Sequence, residues 1–192
     1  GRMGVALAEA ARASGASVEL LLGPHTIVPP AGLVDCVRRF RTCEDLRALL
    51  AERAWAADVI IMAAAVADYR PRPLAALSGG KFRRTSERVM LELEPTPDLI
   101  AGVAAARRPG QLIVGFALEP REEMVAAARA KLERKKIDVV VANPLETMDS
   151  ADIEAVLVRA GHGDVSAPGV MSKSDCAAWL MQRFLDVLEE VR

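Results

Sequence analysis

Val59-Ile60-Ile61-Met62-Ala63-Ala64-Ala65, continued by Val66-Ala67-Asp68-Tyr69-Arg70, is the stretch from which the architecture of this chain can be read. The run from Val59 to Ala65 is apolar throughout, as expected of a strand covered on both faces. It ends in small side chains, followed by a carboxylate, a phenol and a guanidinium. Small residues where a strand meets its loop let a ligand come close to the backbone. The carboxyl ends of parallel strands are where open α/β sheets bind their ligands.

Outward from this stretch, helix and strand patterns alternate over nearly the whole chain. Ala6 to Ala13 reads as a helix with Gly15 at the C-terminal cap, and Val18 to Leu22 as a strand. Pro24, Pro29, Pro30 and Gly32 break the chain before a short strand at Val34 to Val37. Thr42 and Asp45 form a capping-box signature for a helix through Ala54. Between Arg70 and Arg88 lies a long aperiodic loop containing Lys81-Phe82-Arg83-Arg84. Val89 to Leu93 then reads as a strand, and Thr96-Pro97-Asp98 as a helix N-cap with proline in the first helical position. Leu112 to Ala117 and Ile137 to Ala142 are further buried strands, separated by a helix at Glu122 to Lys135. The segments from Asp152 to Arg159 and around Gly161-His162-Gly163-Asp164 read as a closing hairpin, and Ser172 with Asp175 caps a last amphipathic helix. This alternation predicts an α/β fold: a Rossmann-like three-layer sandwich with a mostly parallel sheet and a C-terminal hairpin. The chain opens inside a helix, so residues 1–192 read as one domain lacking the first strand and glycine-rich turn that such a unit needs.

Composition narrows the function. The chain has 192 residues, 52% apolar but only 4% aromatic, so Ala, Val, Leu and Ile must fill the core. The 25 basic and 26 acidic residues give a net charge of −1, which argues against a nucleic-acid binder. Cys36, Cys43 and Cys176 show no metal-ligand spacing and read as reduced thiols of a cytoplasmic protein. No apolar run is long enough to span a membrane, so no membrane partner is expected. His25 and His162 stand far apart, which gives little support to a histidine metal site or a Ser-His-Asp triad. No Walker A, HExxH or GxSxG sequence is present.

Several residues remain as candidates for chemistry. Gly1-Arg2-Met3-Gly4 resembles the end of a glycine-rich turn entering a helix, although ordinary turn chemistry explains two glycines as well. Lys131 and Lys135 share a helix face. They are either solvated surface residues near a helix C-terminus or a pair converging on phosphates. Lys81, with Arg83 and Arg84, is either a mobile basic loop or a lid over a polyphosphate. Asp68 suits a turn, a ribose contact or a metal contact. Phe116 suits the core or the cover of a flat ring.

Taken in order, these segments resemble phosphopantothenoylcysteine synthetase, the phosphopantothenate–cysteine ligase of coenzyme A synthesis. The matching pieces are GRMG at Gly1, AAVADYR at Ala64 to Arg70, GKFRR at Gly80 to Arg84 and TPDLIAGVA at Thr96 to Ala104. VGFALE at Val114 to Glu119, KLERKKIDVVVAN at Lys131 to Asn143 and MSK at Met171 to Lys173 complete the set. The resemblance implies a homodimer, commonly fused to a flavoprotein decarboxylase domain. It also implies a two-step ligation of 4'-phosphopantothenate and cysteine, with CTP and Mg²⁺ as nucleotide and metal. Carried over by position, the nucleotide site comprises Ala64, Ala65, Asp68, Lys81, Pro97, Asp98, Leu99, Ile100, Phe116, Lys131 and Lys135. Lys81 is the implied catalytic residue, and the metal ligands are unassigned.

The sequence also departs from the family pattern. The family's functional asparagine falls just ahead of GRMG, outside this sequence. Arg83 and Arg84 stand where lysines are usual, Leu118 where a small residue is usual, and the segment Asp152 to Val158 lacks an Asn-x-Val pattern. An NAD(P)- or flavin-dependent oxidoreductase is the first alternative, weakened by the missing GxGxxG. A non-catalytic nucleotide-binding domain is the second.

Overall fold

The first helix, α1 (Arg2–Ala13), begins directly after Gly1 and buries Val5, Ala6, Leu7 and Ala8. It starts four residues ahead of the expected Ala6, because Gly1 O already accepts from Val5 N at 3.1 Å. Gly15 closes it as expected, at φ +85°. The structure, a computed structural model, describes residues 1–24, 29, 30, 32, 34–72, 88 and 90–192.

Strand β1 (Glu19–Leu22) pairs in parallel with β2 (Cys36–Arg39), which sits two residues beyond the expected Val34. Helix α2 (Cys43–Arg53) carries the reciprocal capping box its sequence predicts: Asp45 N donates to Thr42 Oγ1 at 3.1 Å, and Thr42 N donates to Asp45 Oδ2 at 2.9 Å. Next come β3 (Val59–Met62) and β4 (Tyr69–Pro71), which pairs antiparallel with β5 (Leu93–Pro95). Then follow α3 (Leu99–Ala105), β6 (Leu112–Glu119), α4 (Met124–Lys135) and β7 (Val139–Pro144). The closing part contains β8 (Asp152–Ile153), β9 (Val156–Arg159), β10 (Val165–Ser166), β11 (Met171–Ser172) and α5 (Lys173–Val191). Strands β9 and β10 form the expected antiparallel hairpin.

The largest described sheet has the order β10-β9-β7-β6-β3. Its working half is parallel, with Val59 opposite Leu112 and Val114 opposite Val139, and β9 then joins β7 antiparallel. Strand side chains alternate between two cores. Leu112, Val114, Val139 and Val141 face α1 and α5, whereas Ile113, Val140 and Ala142 face α2, α3 and α4. The result is a three-layer α/β arrangement. β7 is buried along its whole length, as an interior strand of such a sheet must be. α5 presents Cys176, Leu180, Phe184 and Leu188 at four-residue spacing to the first core.

Two expectations need correction. The run Val59–Ala65 is not covered on both faces: the strand ends at Met62, and only Ile60 within it is fully buried. Among the described residues β3 pairs with β6 alone, so it is an edge strand, and a small cleft of about 190 Å³ separates it from β1. The strand expected at Val89–Leu93 instead begins at Leu93; Val89 lies outside the described residues. Among the described residues, no helix is long and apolar enough to cross a membrane.

Candidate active site

A cleft of about 950 Å³ opens where β3, β6 and β7 end. One wall is the segment Met62–Val66 with Asp68, and another is Thr96–Ile100. These two are tied together: Thr96 N donates to Asp68 O at 2.9 Å, and Thr96 Oγ1 donates to Ala67 O at 2.5 Å. The floor is Phe116–Glu119 of β6 with Asn143 of β7, and Gly1–Met3 close the side toward α1. Ala64 and Ala65 are exposed, so their backbone is open to a ligand.

Of the residues expected at the site, Ala64, Ala65, Asp68, Pro97, Asp98, Leu99, Ile100, Phe116, Lys131 and Lys135 all line this one cleft. Lys81 lies outside the described residues, as do Arg83 and Arg84. The cap of α3 differs from expectation. Asp98, not Thr96, is the N-cap, accepting from Ala101 N at 3.2 Å, so Pro97 precedes the helix. Thr96 cannot cap, because its hydroxyl and amide are both spent on the preceding wall.

Lys131 and Lys135 are not solvated surface. They lie two turns beyond Met124 and Ala128, so they continue the apolar stripe that α4 turns toward the sheet. Lys131 Nζ donates to Phe116 O at 2.5 Å. Burial pushes its ammonium below the usual lysine range, and the nearby Lys135 charge adds to this. Lys135 is paired with Asp98. Burial tends to raise the Asp98 carboxyl, but Lys135 and the Ala101 amide outweigh it and hold the group below its ordinary value. The wall thus offers one lysine bound to a carbonyl and one held by a carboxylate. An anion can exchange for either partner.

Gly115 makes this packing possible. A Cβ there would lie 2.9 Å from Ile137 Cδ1 and 3.0 Å from Ile100 Cδ1, with Lys131 Cε at 3.9 Å. Phe116 packs against the α1/α5 core, as its first reading expected, and it also lines the cleft. Among the described residues, no group of three His, Cys, Asp or Glu side chains could hold a metal by itself. Asp68 and Glu119 are carboxylates on the cleft wall. That fits Mg²⁺, which is usually held by one or two carboxylates together with substrate phosphates.

The sequence reading missed Asn143, Thr147 and Lys173, which also line the cleft. Asn143 had a local signal: it is a lone amide at the end of the apolar run Val139–Ala142.

Residues 1–188 match the family described as the DNA/pantothenate metabolism flavoprotein C-terminal domain. The chain belongs to this family. Among related proteins, a coenzyme A biosynthesis bifunctional protein CoaBC of Bacillus subtilis is 32% identical over 185 residues, covering 95% of this chain and 44% of that protein. A cysteine/cysteine sulfinic acid decarboxylase from an unknown prokaryotic organism is 39% identical over 146 residues, covering 76% of this chain and 39% of its own length. The chain therefore spans less than half the length of these relatives. Among solved structures, the C-terminal domain of a CoaBC protein superposes with a TM-score of 0.80 at 27% identity, covering 99% of this chain and 84% of that one. The C-terminal domain family thus accounts for the fold and for nearly every described element.

Proposed function

We propose that this domain is a CTP-dependent phosphopantothenate–cysteine ligase of coenzyme A synthesis. The observation that carries the reading is the convergence of Lys131, Lys135, Asp98 and Phe116 on one cleft, in a member of a pantothenate-metabolism family. In the first step, the phosphopantothenate carboxylate attacks the α-phosphorus of CTP and pyrophosphate leaves. In the second, the cysteine amine attacks the acyl carbon, CMP leaves with the bonding electrons, and the amine gives up a proton. Lys131 and Lys135 neutralise phosphate charge, Phe116 covers the base, and the open backbone at Ala64 and Ala65 admits the reacting groups. Lys81 is assigned to the triphosphate by resemblance. Mg²⁺ bound by Asp68 and the phosphates would supply further charge neutralisation.

Three further parts belong to the same reading. The domain works as a homodimer, supported by the exposed Tyr69, Leu91 and Leu93 on and beside the β4/β5 arm, which among the described residues has two strands only. It forms part of a cytoplasmic bifunctional protein with a flavoprotein decarboxylase, as the relatives' greater length suggests. A strand ahead of α1 fits between the open edges of β1 and β3.

The test is pyrophosphate release by the purified full-length protein given CTP, 4'-phosphopantothenate and cysteine, with ATP in parallel. Product formation that needs all three substrates supports the ligase. Turnover with ATP alone changes the nucleotide, and none with either sinks the proposal.

A further inference from the structure

Asp68 and Thr96 stand where two walls of the cleft meet. The chain leaves β3 at Met62, runs past the open backbone of Ala64 and Ala65, and bends at Asp68 into β4. In an extended strand, successive carbonyls point to opposite sides. Here two successive carbonyls turn onto one residue: Asp68 O accepts from Thr96 N at 2.9 Å, and Ala67 O accepts from Thr96 Oγ1 at 2.5 Å. The backbone bond continues the antiparallel ladder of β4 and β5, in which Tyr69 faces Pro95 and Arg70 faces Glu94. The hydroxyl bond lies outside that ladder. It fixes the peptide plane between Ala67 and Asp68, because a carbonyl and the N–H that follows it share one rigid plane. Thr96 Oγ1 has a single proton, and that proton is spent there.

Stability gives little reason for this bond. Ala67 is exposed, so water can replace the hydroxyl at its carbonyl, and the fold loses little without it. The ion pairs of the arm, Arg70–Glu94 at 2.7 Å and Arg72–Glu92 at 3.0 Å, lie further out and are untouched. What water cannot do is hold the bend to one geometry. Beyond Thr96, among the described residues, no hydrogen bond joins Met62–Val66 to Pro97–Ile100, and the cleft opens between them. The hydroxyl is thus the last tie that sets how Ala64, Ala65 and Asp68 face the first turn of α3.

We propose that Thr96 is a positioning residue of the ligation: its hydroxyl holds the bend at Asp68 and so sets the distance between the acyl group on one wall and the nucleotide α-phosphorus on the other. It acts through the two walls and not on the reacting atoms. This rests on the ligase reading, in which Ala64 and Ala65 admit the acyl group and the Pro97–Ile100 wall takes the nucleotide. Reacting atoms must come within about 3–3.5 Å, and a misplacement of about 1 Å can cost about a hundredfold in rate. An error in wall spacing therefore falls on the rate of the first step, while each substrate still binds its own wall.

The experiment compares wild type, Thr96→Val and Thr96→Ser in the full-length protein. Valine keeps the branched shape and loses the hydroxyl; serine keeps the hydroxyl. Single-turnover pyrophosphate release reads the rate of the first step, steady-state release gives KM for each substrate, calorimetric titration gives CTP affinity, and circular dichroism reports folding. Thr96→Val is expected to slow the first step about tenfold or more, while KM values and CTP affinity change less than about threefold. Thr96→Ser is expected to keep the first step within about threefold of wild type. A Thr96→Ser protein as slow as Thr96→Val places the effect in the methyl group and overturns the proposal. A Thr96→Val protein that does not fold overturns it as well, by making the hydroxyl a prop of the fold. So does one whose CTP affinity falls as far as its rate, by placing Thr96 in the nucleotide site itself. Wild type that releases no pyrophosphate sinks the ligase reading and this proposal with it. Active wild type with an unchanged Thr96→Val sinks this proposal alone.

Discussion

Replacing Gly115 by alanine tests whether the packing beneath the lysine wall is as tight as it looks. The added Cβ would sit 2.9 Å from Ile137 Cδ1 and 3.0 Å from Ile100 Cδ1, well inside the optimum carbon–carbon separation of about 3.5–4.0 Å. Overpacking of this kind costs about 1–3 kcal/mol. Removing a glycine from a strand returns about 0.5–1 kcal/mol. A net loss of about 1 kcal/mol follows, lowering Tm by roughly 2–4 °C for a domain of this size. Both clashing atoms are the tips of isoleucine side chains, so the cost can be relieved by deleting one. Ile137→Val removes the nearer tip and alone costs about 0.5–1.5 kcal/mol. If the clash is the cause, the double variant loses less than the sum, with a coupling near 1 kcal/mol. Urea unfolding of wild type, both single variants and the double variant gives the cycle. Costs that add to within about 0.5 kcal/mol would refute the packing argument.

Other outcomes are as specific. Asp98 is held below its ordinary carboxyl range, so its pairing stabilises the fold above the unfolded pKa of about 4 and is lost as pH falls through the lower folded value. Lys135→Met should therefore flatten the acid limb of the urea midpoint between neutral and acid pH. The effect should stay at or below about 1 kcal/mol, because the carboxylate is 42% exposed and screened. The thiol of Cys176 is fully buried and pushed up to about 11 by desolvation, while Cys36 and Cys43 are partly exposed. A thiol reagent at neutral pH should label the latter two first and reach Cys176 only on unfolding; simultaneous labelling of all three would contradict the core placement. Leu93→Asp should convert the expected dimer to monomer in sedimentation runs while leaving the circular dichroism spectrum intact. A wild-type monomer would remove the basis for the dimer.

Where the sequence was legible, the signal was local. Thr42 with Asp45 and Ser172 with Asp175 cap their helices because each pair lies within one turn. Thr96 misled for the opposite reason: its hydroxyl is bonded to Ala67, 29 residues away, and the cap passes to Asp98. The extent of β3 was overestimated because Ala63–Ala65 are apolar but small, and side-chain character does not reveal that the ladder stops at Met62. Most of the cleft could be anticipated from strand ends and from resemblance. The Lys135–Asp98 pair could not, since 37 residues separate its members and only the packing of α4 against α3 joins them. Asn143 stayed hidden because an asparagine after an apolar run looks like an ordinary turn former.

The pairing of Lys135 with the cap of α3 makes the cleft its own counter-ion reservoir. On the ligase reading, a phosphate arriving there would not meet two bare ammonium groups; it would displace a carboxylate from one and a carbonyl from the other. Binding is then an exchange of partners, with part of the attraction already spent inside the protein. Dissolved salt competes with ligand mainly at unoccupied charges. Nucleotide affinity should therefore fall less steeply with ionic strength than a count of the lysines in the wall would suggest, and the carboxylate set free keeps its hold on the first turn of α3 through Ala101.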